Sequence, residues 1–208
     1  LSKTGKCKIN ITDDNECETL EYIIDVFEPN KRPSIGSGYN DKALKVLKFN
    51  THRDFQYKKV NEIKCDPQRS NVNNYSVVTR GVSADDLKNW LVNRCLFQNM
   101  EGSLSDSSIE NLETAKSCFN VVDESMTFDT VTASNFDIML NTPRGKIYFE
   151  YLSSGYKSCI FILLGIIKEI EYRFNSLGIL VKDFDGIILI DEIDLHLHPT
   201  WQIKLINS

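Results

Sequence analysis

The sequence predicts a mixed α/β fold with an antiparallel β part, a helical arm, and a final helix and strand. Three observations predict it. Residues 6–12 and 20–27 alternate in polarity and are rich in β-branched and aromatic residues, as strands are. A long apolar helix opens at Leu152-Ser153-Ser154-Gly155-Tyr156-Lys157-Ser158. Phe184-Asp185-Gly186-Ile187-Ile188-Leu189-Ile190 reads as a buried apolar strand ending on two adjacent carboxylates, Asp191 and Glu192.

The remaining elements follow in order. Asp13-Asp14-Asn15 turns the chain between the first two strands. Residues 28–43, with two prolines and two glycines, read as loop. Residues 44–49 make a third strand, and the polar, Asn-rich residues 61–74 are the stretch most prone to disorder. Ser83-Ala84-Asp85-Asp86 has capping-box spacing and starts a helix through about Asn99, with Leu87, Trp90, Leu91 and Leu96 as its apolar stripe. Gly102 to Ser108 is a break, and a second helix, capped by serine, runs from about Ser108 to Val122. Short strands follow at about 126–131, 135–140 and 146–151, with Asn141-Thr142-Pro143-Arg144-Gly145 as the turn between the last two. The helix from about Ser154 to Asn175 is apolar nearly all round in its first half and should be buried. Neither a coiled-coil heptad run nor an internal repeat is visible.

Composition bounds the function. The 208 residues suffice for one domain with a core, and 41% hydrophobic and 25% charged residues are ordinary for a globular chain. A net charge of -5 argues against a broad electrostatic grip on nucleic acid. Lys42, Lys45, Lys48, Arg53, Lys58 and Lys59 form either a local basic patch or, more simply, a solvated strand face. Cys7, Cys17, Cys65, Cys95, Cys118 and Cys159 include no Cys-x-x-Cys pair, so a zinc knuckle or redox pair has no support. Cys95, Cys118 and Cys159 fall in apolar helical patterns and read as reduced core residues, which fits a cytoplasmic protein. The start, Leu1-Ser2-Lys3-Thr4, is polar and unlike a signal peptide. The longest apolar run, Cys159 to Ile167, is too short to span a bilayer.

The chemistry concentrates near the C-terminal end. A carboxylate at the end of a rigid strand, Asp191, can hold Mg2+ through water, whereas its structural alternative is to cap the next helix. Glu192, pointing to the other side of the strand, can orient and polarise water for attack on a phosphate. Ser153, Ser154 and Gly155 at a helix N-terminus make an anion site, or else a plain serine cap. His196 and His198 have a spacing open to metal binding. Pro199 suits the first turn of a helix carrying Trp201. Thr4-Gly5-Lys6-Cys7 and Ser34-Ile35-Gly36-Ser37-Gly38 do not complete a phosphate-binding Gly-x-x-x-x-Gly-Lys-Ser/Thr loop.

With Leu152-Ser153-Ser154-Gly155 upstream, the run Asp191-Glu192-Ile193-Asp194-Leu195-His196-Leu197-His198-Pro199-Thr200-Trp201-Gln202 resembles an ABC-type ATPase head, a P-loop NTPase fold. Within that superfamily it is similar to the predicted ATP-binding proteins near the OLD and Septu anti-phage ATPases. The resemblance covers roughly residues 146–206, with Leu47-Lys48-Phe49-Asn50-Thr51-His52-Arg53 as a weaker upstream part. It implies ATP and Mg2+ as cofactors, Asp191 as metal carboxylate in the Walker B strand and Glu192 as general base. The Ser153-Ser154-Gly155 turn, with Tyr156 where relatives carry Gln or Glu, would be the signature motif. With Lys157 following, it would act in trans on the γ-phosphate held by a second head. His196 and His198 would stand beside the catalytic water in a loop across the dimer interface, and Asp194 would be structural or helix-capping there. Arg53 would reach a phosphate. The partners implied are a second copy and a nuclease or other effector in phage defence, with nucleic acid open and no membrane. The resemblance further implies one partial domain over residues 1–208. About 1–80 would be the antiparallel β part, about 81–150 the helical arm and hairpin, and about 151–208 the signature helix and acidic strand. The expectation is an internal segment of a head, inactive alone. The alternative is a non-catalytic dimerisation or scaffold remnant.

Overall fold

In the computed structural model, residues 5–13, 16–24, 42–51, 53, 60–67, 74, 77–78, 80–83, 86–195 and 197–207 are described. The chain divides into two units, Leu1–Tyr39 and Asn40–Ser208. The first holds a hairpin: β1 (Gly5–Asp13) and β2 (Glu16–Ile24) pair antiparallel, from Gly5 opposite Ile24 to Asp13 opposite Glu16. Register sets the cross-strand contacts, since Lys8 faces Glu21 at 3.4 Å and Thr19 donates to Asn10 at 3.0 Å. The second strand starts at Glu16, not residue 20, because Cys17 and Thr19 continue the exposed face of Glu21. Asp14 and Asn15 of the expected turn, and most of the 28–43 loop, lie outside the described residues.

In the second unit β3 (Val46–Phe49) follows a 3-10 turn, Lys42–Lys45. It pairs in parallel with β7 (Ile187–Ile190), joining strands far apart in sequence. The third strand therefore lies beside the acidic strand. A meander of β4 (Thr127–Val131), β5 (Ile138–Thr142) and β6 (Gly145–Tyr148) forms a second, antiparallel sheet. The helices are α1 (Leu87–Phe97), α2 (Asp106–Val121), α3 (Ser154–Phe174) and α4 (Pro199–Ile206). The fold class is thus mixed α/β, with parallel and antiparallel sheets.

The long helix α3 is the axis of the core. Cys159, Ile160, Phe161, Ile162, Leu164 and Ile167 are all buried, as an all-round apolar stretch requires. Phe161 meets Phe49 of β3 edge-on, with ring centroids 5.8 Å apart. One turn on, Gly165 lets the helix close on that strand. A Cβ there would stand 2.8 Å from the Phe49 ring, which is itself fully buried.

Several expectations are corrected. The first arm helix starts at Leu87, and Asp86 at its N-cap makes no side-chain cap. Asp86 and the Ser83 carbonyl receive Lys168 of α3, and Ala84 and Asp85 of the expected capping box lie outside the described residues. Leu96 is 39% exposed while Leu87, Trp90 and Leu91 are buried, which narrows the apolar stripe. The second helix is capped by Ser105, whose oxygen accepts from the Ser108 N–H at 3.1 Å. The described part of the 61–74 stretch is anchored on α1: Asn89 bonds both backbone groups of Lys64, and Asp66 takes the Arg94 guanidinium at 2.6 Å. The middle strand of the meander starts at Ile138, because Phe136 sits at φ 56° and the chain turns there.

The largest correction concerns β7, expected to be buried. Ile187, Ile188 and Leu189 are 59%, 39% and 48% exposed. Among the described residues β7 pairs only with β3, so its apolar side chains lack a covering layer there.

Charge is buried inside the unit. Glu171 of α3 takes the Trp90 indole N–H and the Arg94 guanidinium of α1, each at 2.8 Å. Burial pushes the Glu171 carboxyl upward, and Arg94 opposes that shift. Lys88 of α1 reaches Asp137 at 2.6 Å and Glu150 at 2.8 Å, all three side chains nearly fully enclosed. Arg173 of α3 donates to the Leu44 and Val46 carbonyls at 3.1 and 2.7 Å, fixing α3 against the start of β3. No described helix is long and apolar enough to cross a membrane.

Candidate active site

The acidic corner forms where β7 stops. The Asp191 N–H still donates to the Phe49 carbonyl at 2.9 Å, the last rung between the parallel strands. The chain then enters a turn, and Glu192 adopts φ +45°, a left-handed conformation that glutamate seldom takes. Asp191 and Glu192 therefore do not alternate across a strand. The turn, rather than the pleat, sets where the second carboxylate stands. Both residues are exposed. Among the described residues neither carboxylate accepts a hydrogen bond or closes an ion pair.

Arg53 lies behind this corner. It is only 7% exposed, and one terminal nitrogen, Nη2, donates to both the Asp191 carbonyl, at 2.9 Å, and the Glu192 carbonyl. The other, Nη1, is buried with no acceptor among the described residues. Arg53 was expected to reach toward phosphate, but its guanidinium is engaged by the backbone of the acidic turn. Burial lowers its pKa, an effect opposed by Cys159 of α3 and by Asp191, Asp194 and Glu192. Sequence pattern shows a basic residue after a strand, but not that this residue folds inward. Of the basic patch considered, Lys45 is also paired, with Asp185 at 3.0 Å, while Lys58 and Lys59 lie outside the described residues.

The Ser153-Ser154-Gly155 turn starts α3. Ser153 is the N-cap, its Oγ accepting from the Tyr156 N–H at 3.3 Å. Its own O–H stays available to donate. Ser153 and Ser154 are exposed, and the first helical N–H groups lack intrahelical acceptors by construction. Lys157 is half-buried and bonds the Glu150 carbonyl at 3.2 Å, which leaves two of its ammonium protons unassigned. Tyr156 points the other way: it is 1% exposed and donates to the Phe119 carbonyl. Its ring meets Trp201 of α4 edge-on at 6.2 Å. That contact links the first turn of α3 to the helix that follows the acidic corner.

His198 is the N-cap of α4, with Nδ1 facing the Thr200 N–H at 3.4 Å, and Pro199 opens the helix. The capping role expected of Asp194 thus belongs to His198. Asp194 contributes its carbonyl to the Leu197 N–H at 3.1 Å. His196 lies outside the described residues. Among the described residues no three His, Cys, Asp or Glu side chains gather as an all-protein metal cage. Asp191 is exposed, and among the described residues its carboxylate has no partner.

Comparison with known proteins gives an independent reading. No family model matches the chain. It is 41% identical over 204 residues to the Septu protein PtuA of Bacillus thuringiensis, a match covering 97% of this chain and 52% of that protein. It is 42% identical over 70 residues to the retron Ec83 probable ATPase of Escherichia coli, which covers 34% of this chain and 13% of that protein. Over 57 residues it is 40% identical to the retron Vc95 probable ATPase of Vibrio cholerae, covering 27% of this chain and 11% of that protein. The chain thus spans about half the length of the Bacillus thuringiensis relative. Its similarity runs to a Septu protein along nearly all its length, and to probable ATPases over shorter segments.

Proposed function

We propose that this chain carries the hydrolytic corner and the trans-acting anion turn of an ABC-type ATPase that binds ATP with Mg2+ between two copies and drives a defence effector. The observation that carries this reading is the acidic corner itself. Two adjacent carboxylates, unpaired among the described residues, stand exposed at the end of a strand, with a buried arginine holding the backbone behind them. A salt-bridged or helix-capping pair would be satisfied by protein; among the described residues this pair is not. Names among the relatives support the same reading, since two are probable ATPases and two are Septu proteins.

In this reading Asp191 holds the metal, whose charge offsets that building on the phosphate oxygens. Glu192 accepts the proton of the attacking water. Ser153 Oγ–H and the free N–H groups at the start of α3 face the γ-phosphate bound to the opposite copy. Lys157 adds positive charge there, and His198 holds the start of α4 beside the corner. The effector is a nuclease or another protein that senses closure of the two heads.

Turnover by the full-length protein tests this. Wild type hydrolyses ATP, and Glu192→Gln lowers kcat by a factor of roughly 100 or more, within the range general bases contribute. ATP-bound dimers should accumulate in the variant on size-exclusion chromatography with light scattering. Equal turnover in both proteins removes Glu192 from the mechanism, and a wild type that dimerises without hydrolysis favours the scaffold reading.

A further inference from the structure

We infer that Arg53 is a positioning residue: its buried guanidinium holds the two successive carbonyls of the acidic corner and thereby sets where the Glu192 side chain leaves the turn. The inference rests on the hydrolytic reading of Glu192 given above.

Four observations converge. Arg53 is 7% exposed, and one nitrogen serves both the Asp191 and the Glu192 carbonyls. Two adjacent carbonyls can face one donor only where the backbone curls, and Glu192 is at φ +45°. Such a conformation persists in a non-glycine residue when its surroundings over-determine it. On the other side, the Asp191 N–H is fixed to the Phe49 carbonyl at 2.9 Å. The corner is therefore held by β3 at its first residue and by the residue a short loop beyond β3 at its second. Finally, no described side chain restrains either carboxylate, so among the described residues the backbone is what fixes where each side chain leaves the chain.

Charge alone does not explain this arrangement. An arginine serving only as a counter-ion would meet the carboxylates, and Arg53 meets the carbonyls. A flat guanidinium keeps its charge when buried and presents donors in a fixed plane, which suits it to hold a turn. Removing it leaves two carbonyls without their donor and frees the turn to relax toward ordinary φ values. Glu192 then swings with its own backbone. A misplacement on the order of 1 Å at a reacting group costs roughly 100-fold in rate.

The test uses Arg53→Met, Arg53→Lys, Glu192→Gln and the Arg53→Met/Glu192→Gln double variant in the full-length protein. Two readouts are needed. The first is hydrogen exchange of the peptide spanning residues 191–195, with α3 as the internal control of folding. The clamp predicts faster exchange at the corner in Arg53→Met, unchanged exchange in α3, and partial recovery in Arg53→Lys. The second is steady-state ATP hydrolysis. Arg53→Met should lose roughly 100-fold in kcat with KM for ATP nearly unchanged, and the double variant should be no slower than Glu192→Gln alone. Unchanged exchange at residues 191–195 overturns the clamp. A raised KM with kcat retained overturns it in favour of direct contact between Arg53 and nucleotide, and additive losses in the double variant show that Arg53 does not act through Glu192. If wild type shows no turnover, the ATPase reading and the positioning role fall together, while exchange still reports whether Arg53 holds the turn.

Discussion

Cys118 and Cys159 are thiols whose ionisation burial opposes, and Cys95 at the edge of the core behaves similarly. Burial pushes Cys159 and Cys95 up to about 11 and Cys118 up to about 12, from an ordinary value of 9.0. The neighbouring Arg53 pulls Cys159 slightly down again. Since the thiolate is the reactive form, only about one Cys159 in a thousand is reactive at pH 8. Cys17 and Cys65 are exposed. A thiol reagent at pH 8 should therefore label Cys17 and Cys65 promptly, and Cys95, Cys118 and Cys159 only after denaturation, as peptide mapping can show. Rapid labelling of Cys118 in the native protein would contradict the core described here.

At the scale of elements, α1 and α3 are tied by charge as much as by apolar packing. Trp90 and Arg94 of α1 converge on Glu171 of α3, and Lys168 of α3 returns to Asp86. Burying a pair in this way adds little net stability, but stranding one member is costly. Arg94→Met should destabilise by about 3–5 kcal/mol, because Glu171 is left enclosed without its counter-charge. Adding Glu171→Met to that variant should recover much of the loss, despite removing a further hydrogen bond. Urea unfolding of the two single variants and the double variant supplies the cycle. If the double variant lost the sum of the single losses, α1 and α3 would not be coupled through this pair.

For the whole molecule the same thiols make an alkaline limit. A thiol that ionises near pH 9 when unfolded, but near 11 to 12 when folded, contributes stability that is intact below pH 9. That contribution is lost as pH rises through the folded values, because the unfolded chain releases its protons first. One unit above the unfolded value, each fully buried thiol accounts for about 1.4 kcal/mol. Tyr156, also shifted upward by burial, acts in the same direction at higher pH. Thermal melting followed from pH 8 to pH 10.5 should fall steadily above pH 9. A flat profile over that range would show that these groups ionise as freely in the folded protein as in the unfolded one.

Local patterns in the chain determined its elements and the position of its chemistry. Alternation marked β1 and β2, and a continuous apolar stretch after Ser153 marked a helix that is indeed buried. The run into Asp191 marked a strand ending on two carboxylates. These signals are legible because periodicity and caps act over a few residues. Tertiary structure decided what depends on residues distant in sequence. It set β3 beside β7, turned Arg53 inward onto the Asp191 and Glu192 carbonyls, and enclosed Lys88 with Asp137 and Glu150, and Arg94 with Glu171. It also gave the His198 ring a helix to cap and placed Glu192 in a turn instead of on a strand. No local pattern encodes such pairings: a buried charge is tolerated only where the folded chain supplies its partner, and that partner lies dozens of residues away.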